Sequence, residues 1–245
     1  MSTPSAFPEL PQHTGELPII PGGWSQQEFP IDEGSLKIHR PTDPDRFLDD
    51  PDVHRRNGEN DYMPYWAFLW PAAIKMANVV ARQHGWAGQQ ILELGAGLGL
   101  VGLAAMRAGA KVTFSDYDET ALYLCRANSR LNGFEEPDTL LLDWRTPSLD
   151  QRFPVIMGCE VTYDAAVHSD LLNLLDRVLA TNGICWLGEP GRFQGIAFAE
   201  KAVAAGLLVT TINEFGHLVP IDENDGFRIL QLRKDSGTDR HDVKC

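Results

Sequence analysis

The apolar positions along the chain change period several times, and each change marks an element. Residues 71–85, PAAIKMANVVARQHG, place Ala73, Ile74, Ala77, Val80 and Ala81 at helical spacing. That predicts a helix opening on Pro71 and stopping at Gly85. Short runs apolar on both faces follow: ILEL at 91–94, KVTFSD at 111–116, TLLLDW at 139–144, PVIMGCE at 154–160, GICWLGE at 183–189, LLVTTIN at 207–213 and FRILQLR at 227–233. Helical patterns alternate with the earlier runs, over 98–108, 119–131, 165–180 and 195–205. Strands buried on both faces and separated by helices predict a Rossmann-like α/β fold: a seven-stranded, mostly parallel sheet covered on both sides. The last two strands lack a helix between them, so an antiparallel return is expected there.

Before Pro71 the pattern is weaker. Phe29–Ile31 and Leu36–Ile38 flank the polar stretch 32–35 and read as a β-hairpin. Residues 41–61, rich in Pro, Asp and Arg, read as a loop, and 1–27 as an irregular arm. The organisation expected is an N-terminal arm and hairpin over 1–60, an α/β domain over 61–235 and a disordered tail over 236–245.

Composition narrows the partners. The 245 residues carry a net charge of −13, from 34 acids and 21 bases. Such a chain repels phosphate backbones, so no nucleic-acid partner is expected; a basic peptide or a small cation fits better. The four cysteines, Cys125, Cys159, Cys185 and Cys245, form no C-x-x-C, and no histidine spacing suits a metal, so no metal site is expected. No apolar run reaches the ~20 residues of a membrane span. The first basic residue is Lys37, which argues against a targeting leader. A soluble cytoplasmic protein is expected; its oligomeric state is not legible.

The candidate chemistry centres on ILELGAGLGLVG at 91–102, with a G-x-G-x-x-G at Gly97, Gly99 and Gly102. A strand, a glycine turn and a helix let backbone approach a nucleotide cofactor closely, and Asp116, about 20 residues on, suits ribose hydroxyls. Those features serve a dinucleotide and S-adenosylmethionine alike. Three others favour the second. Glu93, on the strand feeding the loop, would repel a pyrophosphate and attract a cationic ammonium or sulfonium. The loop comes late, after a preceding helix. Asp143-Trp144 offers an acid and an aromatic for an adenine.

In combination these segments resemble class I, seven-β-strand S-adenosylmethionine-dependent methyltransferases. Within that class they are similar to the family-16 group, especially lysine methyltransferases acting on the electron-transfer-flavoprotein β-subunit, and their bacterial relatives. The likeness rests on PYWAFLWPAA at 64–73, ELGAGLGLVG at 93–102, SDYD at 115–118, ANSRLNG at 127–133, LDW at 142–144, EVTY at 160–163 and LGEPGR at 187–192. It implies S-adenosyl-L-methionine as cofactor and N-methylation, of a protein lysine first, or of a small amine or a protein N-terminus. A non-catalytic cofactor-binding module is the rival of another class. The resemblance implies that Gly95, Ala96 and Gly97 line the methionine part, with Glu93 and Gly99, and that Asp116 binds ribose beside Tyr117. Asp143 and Trp144 would flank adenine, Trp70 would touch the cofactor, and Cys159 and Glu160 would face the methyl. Glu160 and Tyr163 are the expected catalytic pair. The family pattern D-x-x-Y reads here Glu160-Val161-Thr162-Tyr163, a carboxylate one methylene longer. Glu189 likewise stands where relatives show Asp. Around Trp70, Tyr62, Tyr65, Trp66 and Phe68 form an aromatic cluster suited to a cationic amine or to packing. Arg192 can anchor an acidic group or pair with a nearby acid.

Overall fold

A computed structural model describes residues 16–32, 34–222 and 226–234. The expected tail 236–245 and the turn residue Glu33 lie outside them, as does Cys245. The hairpin pairs β1 (Trp24–Ile31) with β2 (Gly34–Pro41), Phe29 opposite Leu36, and is longer than the apolar pattern marked. The stretch expected as loop is instead helical: a 3-10 turn (Pro44–Phe47) and α1 (Pro51–Asn60). Asp50 accepts from Asp52 N at 2.8 Å, Pro51 opens the helix, and Arg55 pairs with Glu59 one turn on. Val53 is the one buried residue of α1, so apolar periodicity carried no sign of it.

Seven strands follow: β3 (Gln90–Leu94), β4 (Lys111–Asp116), β5 (Asp138–Leu141), β6 (Phe153–Cys159), β7 (Leu179–Glu189), β8 (Leu207–Asn213) and β9 (Arg228–Lys234). They form one sheet in the order β5-β4-β3-β6-β7-β9-β8. β9 slots between β7 and β8, antiparallel to both; the ladders joining β5, β4, β3, β6 and β7 are parallel. The expected strand 139–144 ends at Leu141, so Asp143 and Trp144 leave the sheet. The expected helix 165–180 divides into a 3-10 turn (Ala165–Val167) and α5 (His168–Val178), with β7 taking over at Leu179.

Successive residues of the central strands feed two cores. Ile91, Val155, Met157 and Trp186 join one with α2 (Pro71–Arg82), α3 (Leu100–Arg107), α4 (Glu119–Leu131) and the hairpin. Leu92, Ile156, Cys185 and Leu187 join the other with α5 and α6 (Phe193–Ala204). Each fully buried Leu or Ile contributes roughly 1.5–3 kcal/mol. The chain runs outward from β3 to β5 and returns to β6 on β3's other side, so the carboxyl ends of β3 and β6 meet at a switch point, where α/β sheets bind ligands.

ANSRLNG anchors the hairpin. Asn128 Oδ1 accepts from His39 N at 2.7 Å, and Asn132 Oδ1 from Lys37 N at 2.8 Å. The same amides donate back to His39 O and Lys37 O. Two asparagines at i,i+4 thus satisfy alternate residues of a strand edge, as a partner strand would. Asn128 also donates to Leu98 O in the glycine turn, tying the hairpin to it.

Candidate active site

The turn after β3 bends through Gly95, Gly97 and Gly99, all with left-handed φ (60°, 53° and 80°). A Cβ on Gly95 would stand 3.0 Å from Val161 Cγ1 and 3.6 Å from the Trp144 ring, so the turn is closed in by the loops after β5 and β6. Gly102 meets a different need. A Cβ there would lie 2.3 Å from Glu93 Oε2 and 2.4 Å from the buried Phe114 ring, so glycine lets α3 sit directly on the sheet.

Glu93 is buried and its Oε2 accepts from Gly102 N at 3.0 Å. The N-cap position of α3 is Gly99, which has no side chain, and the strand carboxylate serves the helix amide in its place. Burial pushes the Glu93 carboxyl up to about 8, opposed by the Gly102 amide and aided by Asp116. Asp116, also buried, bridges two turns: Oδ2 accepts from Gly97 N and Oδ1 from Asp118 N, both at 3.0 Å. Burial pushes it up to about 6, those amides opposing.

Asp118, which sequence reasoning did not single out, links the turn after β4 to the segment before α2. Its Oδ1 caps α4 through Thr120 N, and its Oδ2 accepts from Tyr62 Oη at 2.5 Å. Trp66 Nε1 donates to Tyr62 Oη, and the Arg56 guanidinium lies 3.5 Å from the Tyr62 ring centre. Tyr117 donates to Met63 O at 2.7 Å. Phe68, Trp70, Tyr65 and Tyr163 continue as a row of rings, with centroid separations of 6.0, 6.0 and 5.5 Å. Burial holds the Tyr163 phenol up at about 12.

Glu160 takes a left-handed φ of 54°, uncommon outside glycine, immediately after β6. Its side chain is 3% exposed. Oε1 accepts from Ala72 N, in the first turn of α2, at 3.2 Å, and Oε2 lies 3.0 Å from Arg192 Nη2. Trp70 is the N-cap residue of that same helix, two residues before the amide that donates to Glu160. Arg192 opens α6, where Gly191 N and Arg192 N both donate to Glu189 Oε2 at 3.1 Å. Glu189 forms a buried ion pair with Arg228.

Two expected residues are committed elsewhere in this conformation. Asp143 is held by Arg145, which draws its carboxyl below the usual range. The Cys159 thiol packs at Gly188, where a Cβ would be 3.1 Å from Sγ, and burial pushes the thiol well up. Gly95, Ala96, Gly97, Gly99, Asp116, Tyr117, Trp144, Glu160 and Tyr163 all gather at the carboxyl edge of β3, β4, β5 and β6. Among the described residues no group of three His, Cys, Asp or Glu could hold a metal, and no helix is long and apolar enough to cross a membrane.

A seven-stranded sheet with this order, and a glycine turn at its switch point, is the class I methyltransferase fold. It superposes with a TM-score of 0.56 on a TehB-like SAM-dependent methyltransferase of Corynebacterium glutamicum, over 80% of this chain and all of that one, at 15% identity. Residues 65–194 match the lysine methyltransferase family, and the chain belongs to it. It is 28% identical over 135 residues to a histidine protein methyltransferase 1 homolog of Dictyostelium discoideum, covering 52% of this chain and 44% of the relative. It is 31% identical over 134 residues to the electron transfer flavoprotein beta subunit lysine methyltransferase of Danio rerio, covering 54% and 52%. The chain thus spans about half the length of these curated relatives.

Proposed function

We propose that this protein transfers a methyl group from S-adenosylmethionine to an amine nitrogen, with a lysine side chain of a protein as the first acceptor. The observation that carries this is the buried Glu160, held between the α2 amide and Arg192 beside a row of aromatic rings. The turn fits the cofactor: Gly95 leaves a hollow that a Cβ would fill, with the Trp144 ring on one side. Asp116 would hold the ribose, its carboxylate already fixed at the turn by two amides. Glu93 would face the cationic methionine end only from below, since its Oε2 serves Gly102. Tyr117, Asp143 and Trp144 would enclose the adenosyl end, Asp143 once Arg145 shares it, while Trp70 and Cys159 would border the methyl.

The cofactor supplies an activated methyl on a good leaving group. The protein's task is to bring a lone pair to about 3–3.5 Å, in line with the breaking bond. A lysine with pKa near 10.4 costs roughly 4–5 kcal/mol to present as free amine at neutral pH. Glu160 would draw the ammonium in and orient it, Tyr163 and Tyr65 would form the channel wall by cation–π attraction, and water would accept the proton. A small amine or a protein N-terminus is the alternative acceptor. The acidic chain suits a basic protein segment, and the free thiols of Cys125, Cys159 and Cys185 suit the cytoplasm.

Incubation with radiolabelled cofactor and a cell lysate is expected to label a protein band at lysine. Label confined to small molecules would move the reading to the alternative acceptor, and no labelling would count against methyl transfer. Asp116→Ala is expected to weaken S-adenosylhomocysteine binding by about 1–3 kcal/mol, the worth of a charged hydrogen bond. Unchanged affinity by calorimetry would remove the ribose assignment.

A further inference from the structure

Glu160 carries two oxygens, and the structure gives them unequal duties. Oε1 serves the Ala72 amide and is tied to the start of α2. Oε2 faces Arg192 at 3.0 Å, but among the described residues no donor is aligned on it for a hydrogen bond. A nearly fully buried carboxylate oxygen is therefore neutralised by a neighbouring charge while its lone pairs stay unfilled. The Arg192 backbone is fixed, because its N–H and that of Gly191 are held by Glu189, itself pinned by buried Arg228. Gly191 also packs closely on Gly226, where a Cβ on Gly191 would meet Gly226 O at 2.5 Å. The Arg192 side chain is different. It is 44% exposed, and Glu160 is its one ion-pair partner among the described residues.

Resting on the reading of Glu160 as the acceptor site, we propose that Arg192 determines acceptor specificity: its guanidinium occupies the place of the acceptor's cationic head on Glu160. An acceptor enters by displacing it. An ion pair with one half-exposed partner is weak, because water solvates the departing guanidinium. The carboxylate left behind is buried, and a buried charge without a partner is costly, so departure is favourable only when another cation arrives. An alkylammonium can do this and also donate N–H to the unfilled Oε2. A neutral amide or hydroxyl brings no compensating charge, so it is excluded. Opening needs only rotation of one long side chain, with the α6 backbone held by Glu189.

The test uses n-butylammonium, the head group of lysine, titrated by NMR into the full chain saturated with S-adenosylhomocysteine, at constant ionic strength. If Arg192 holds Glu160 in about nine molecules of ten, removing it tightens apparent binding about tenfold. Arg192→Ala and Arg192→Gln are both expected to bind about tenfold more tightly than the wild type. Arg192→Lys, which restores a resident cation, is expected to return binding toward the wild-type value. Glu160→Gln is expected to lose it. Equal or weaker binding by Arg192→Ala and Arg192→Gln, with Glu160→Gln still defective, would overturn the displacement proposal alone. Undiminished binding by Glu160→Gln would instead overturn the assignment of Glu160 to the acceptor site, and the proposal with it.

Discussion

Replacing Arg228 by Met is expected to destabilise the protein by about 3–5 kcal/mol, the cost of leaving a buried charge without its partner. The pair is almost fully enclosed: the Arg228 and Glu189 side chains are 3% and 1% exposed. Glu189 Oε2 still meets the Gly191 and Arg192 amides, but two neutral donors do not balance a buried carboxylate. The double variant Arg228→Met/Glu189→Gln is expected to recover most of the loss, because glutamine keeps the acceptor for both amides without the charge. Urea denaturation of the three proteins measures this. A single-variant loss below about 1 kcal/mol would mean that water or another group balances Glu189.

Raising the pH is expected to weaken the ligand-free protein, with Glu93 the largest contributor. An unfolded Glu93 ionises above its ordinary value of 4.5, whereas the buried one holds its proton to about 8. Unfolding therefore releases a proton throughout that window, and stability falls as pH rises through it. The full shift corresponds to as much as about 5 kcal/mol. Asp116 acts in the same direction between 3.8 and about 6, where its shift corresponds to about 3 kcal/mol. Melting temperatures from about pH 5 to about pH 8.5 should decline steadily, and Glu93→Gln, which has nothing to ionise, should flatten the upper half. Bound S-adenosylmethionine should stabilise more at the alkaline end, since in the proposed placement its cationic methionine end favours Glu93 ionised and its ribose hydroxyls, as donors, favour Asp116 ionised. A wild-type profile flat across this range would show that water reaches Glu93.

Glu93 shows both the reach and the limit of the linear chain. Its place two residues before Gly95 marked it as an acidic side chain under the glycine turn, and the structure sets its Oε2 against the Gly102 amide. That its Oε2 serves the first turn of α3 depends on Gly99 lacking a side chain and on Gly102 letting the helix descend onto Phe114. Only packing decides that. Asp116 and Glu160 stood at strand ends in the sequence, and parallel strands bring their carboxyl ends to one edge whatever their separation. For this reason Asp116 and Glu160 lie at one edge of the sheet. The partners were not legible in the sequence, because Ala72, Arg192 and Glu160 share no period or motif. They meet across 88 and 32 residues through helix starts that only the closed fold apposes.

The local elements divide the same way. Strands buried on both faces and helices with an apolar stripe were legible, because burial selects residue types at fixed spacing. α1 was not, since it buries one residue and stands on capping and charge pairs. Nor was the slot of β9 between β7 and β8, since ladder hydrogen bonds are made by backbone that every residue shares. The sequence by itself determined the α/β architecture, the glycine turn and the carboxylates at the strand ends, for those depend on side-chain type and local conformation. The tertiary structure alone decided which cation holds Glu160, which amide holds Glu93 and which asparagines hold the hairpin, because each contact joins groups far apart in the chain.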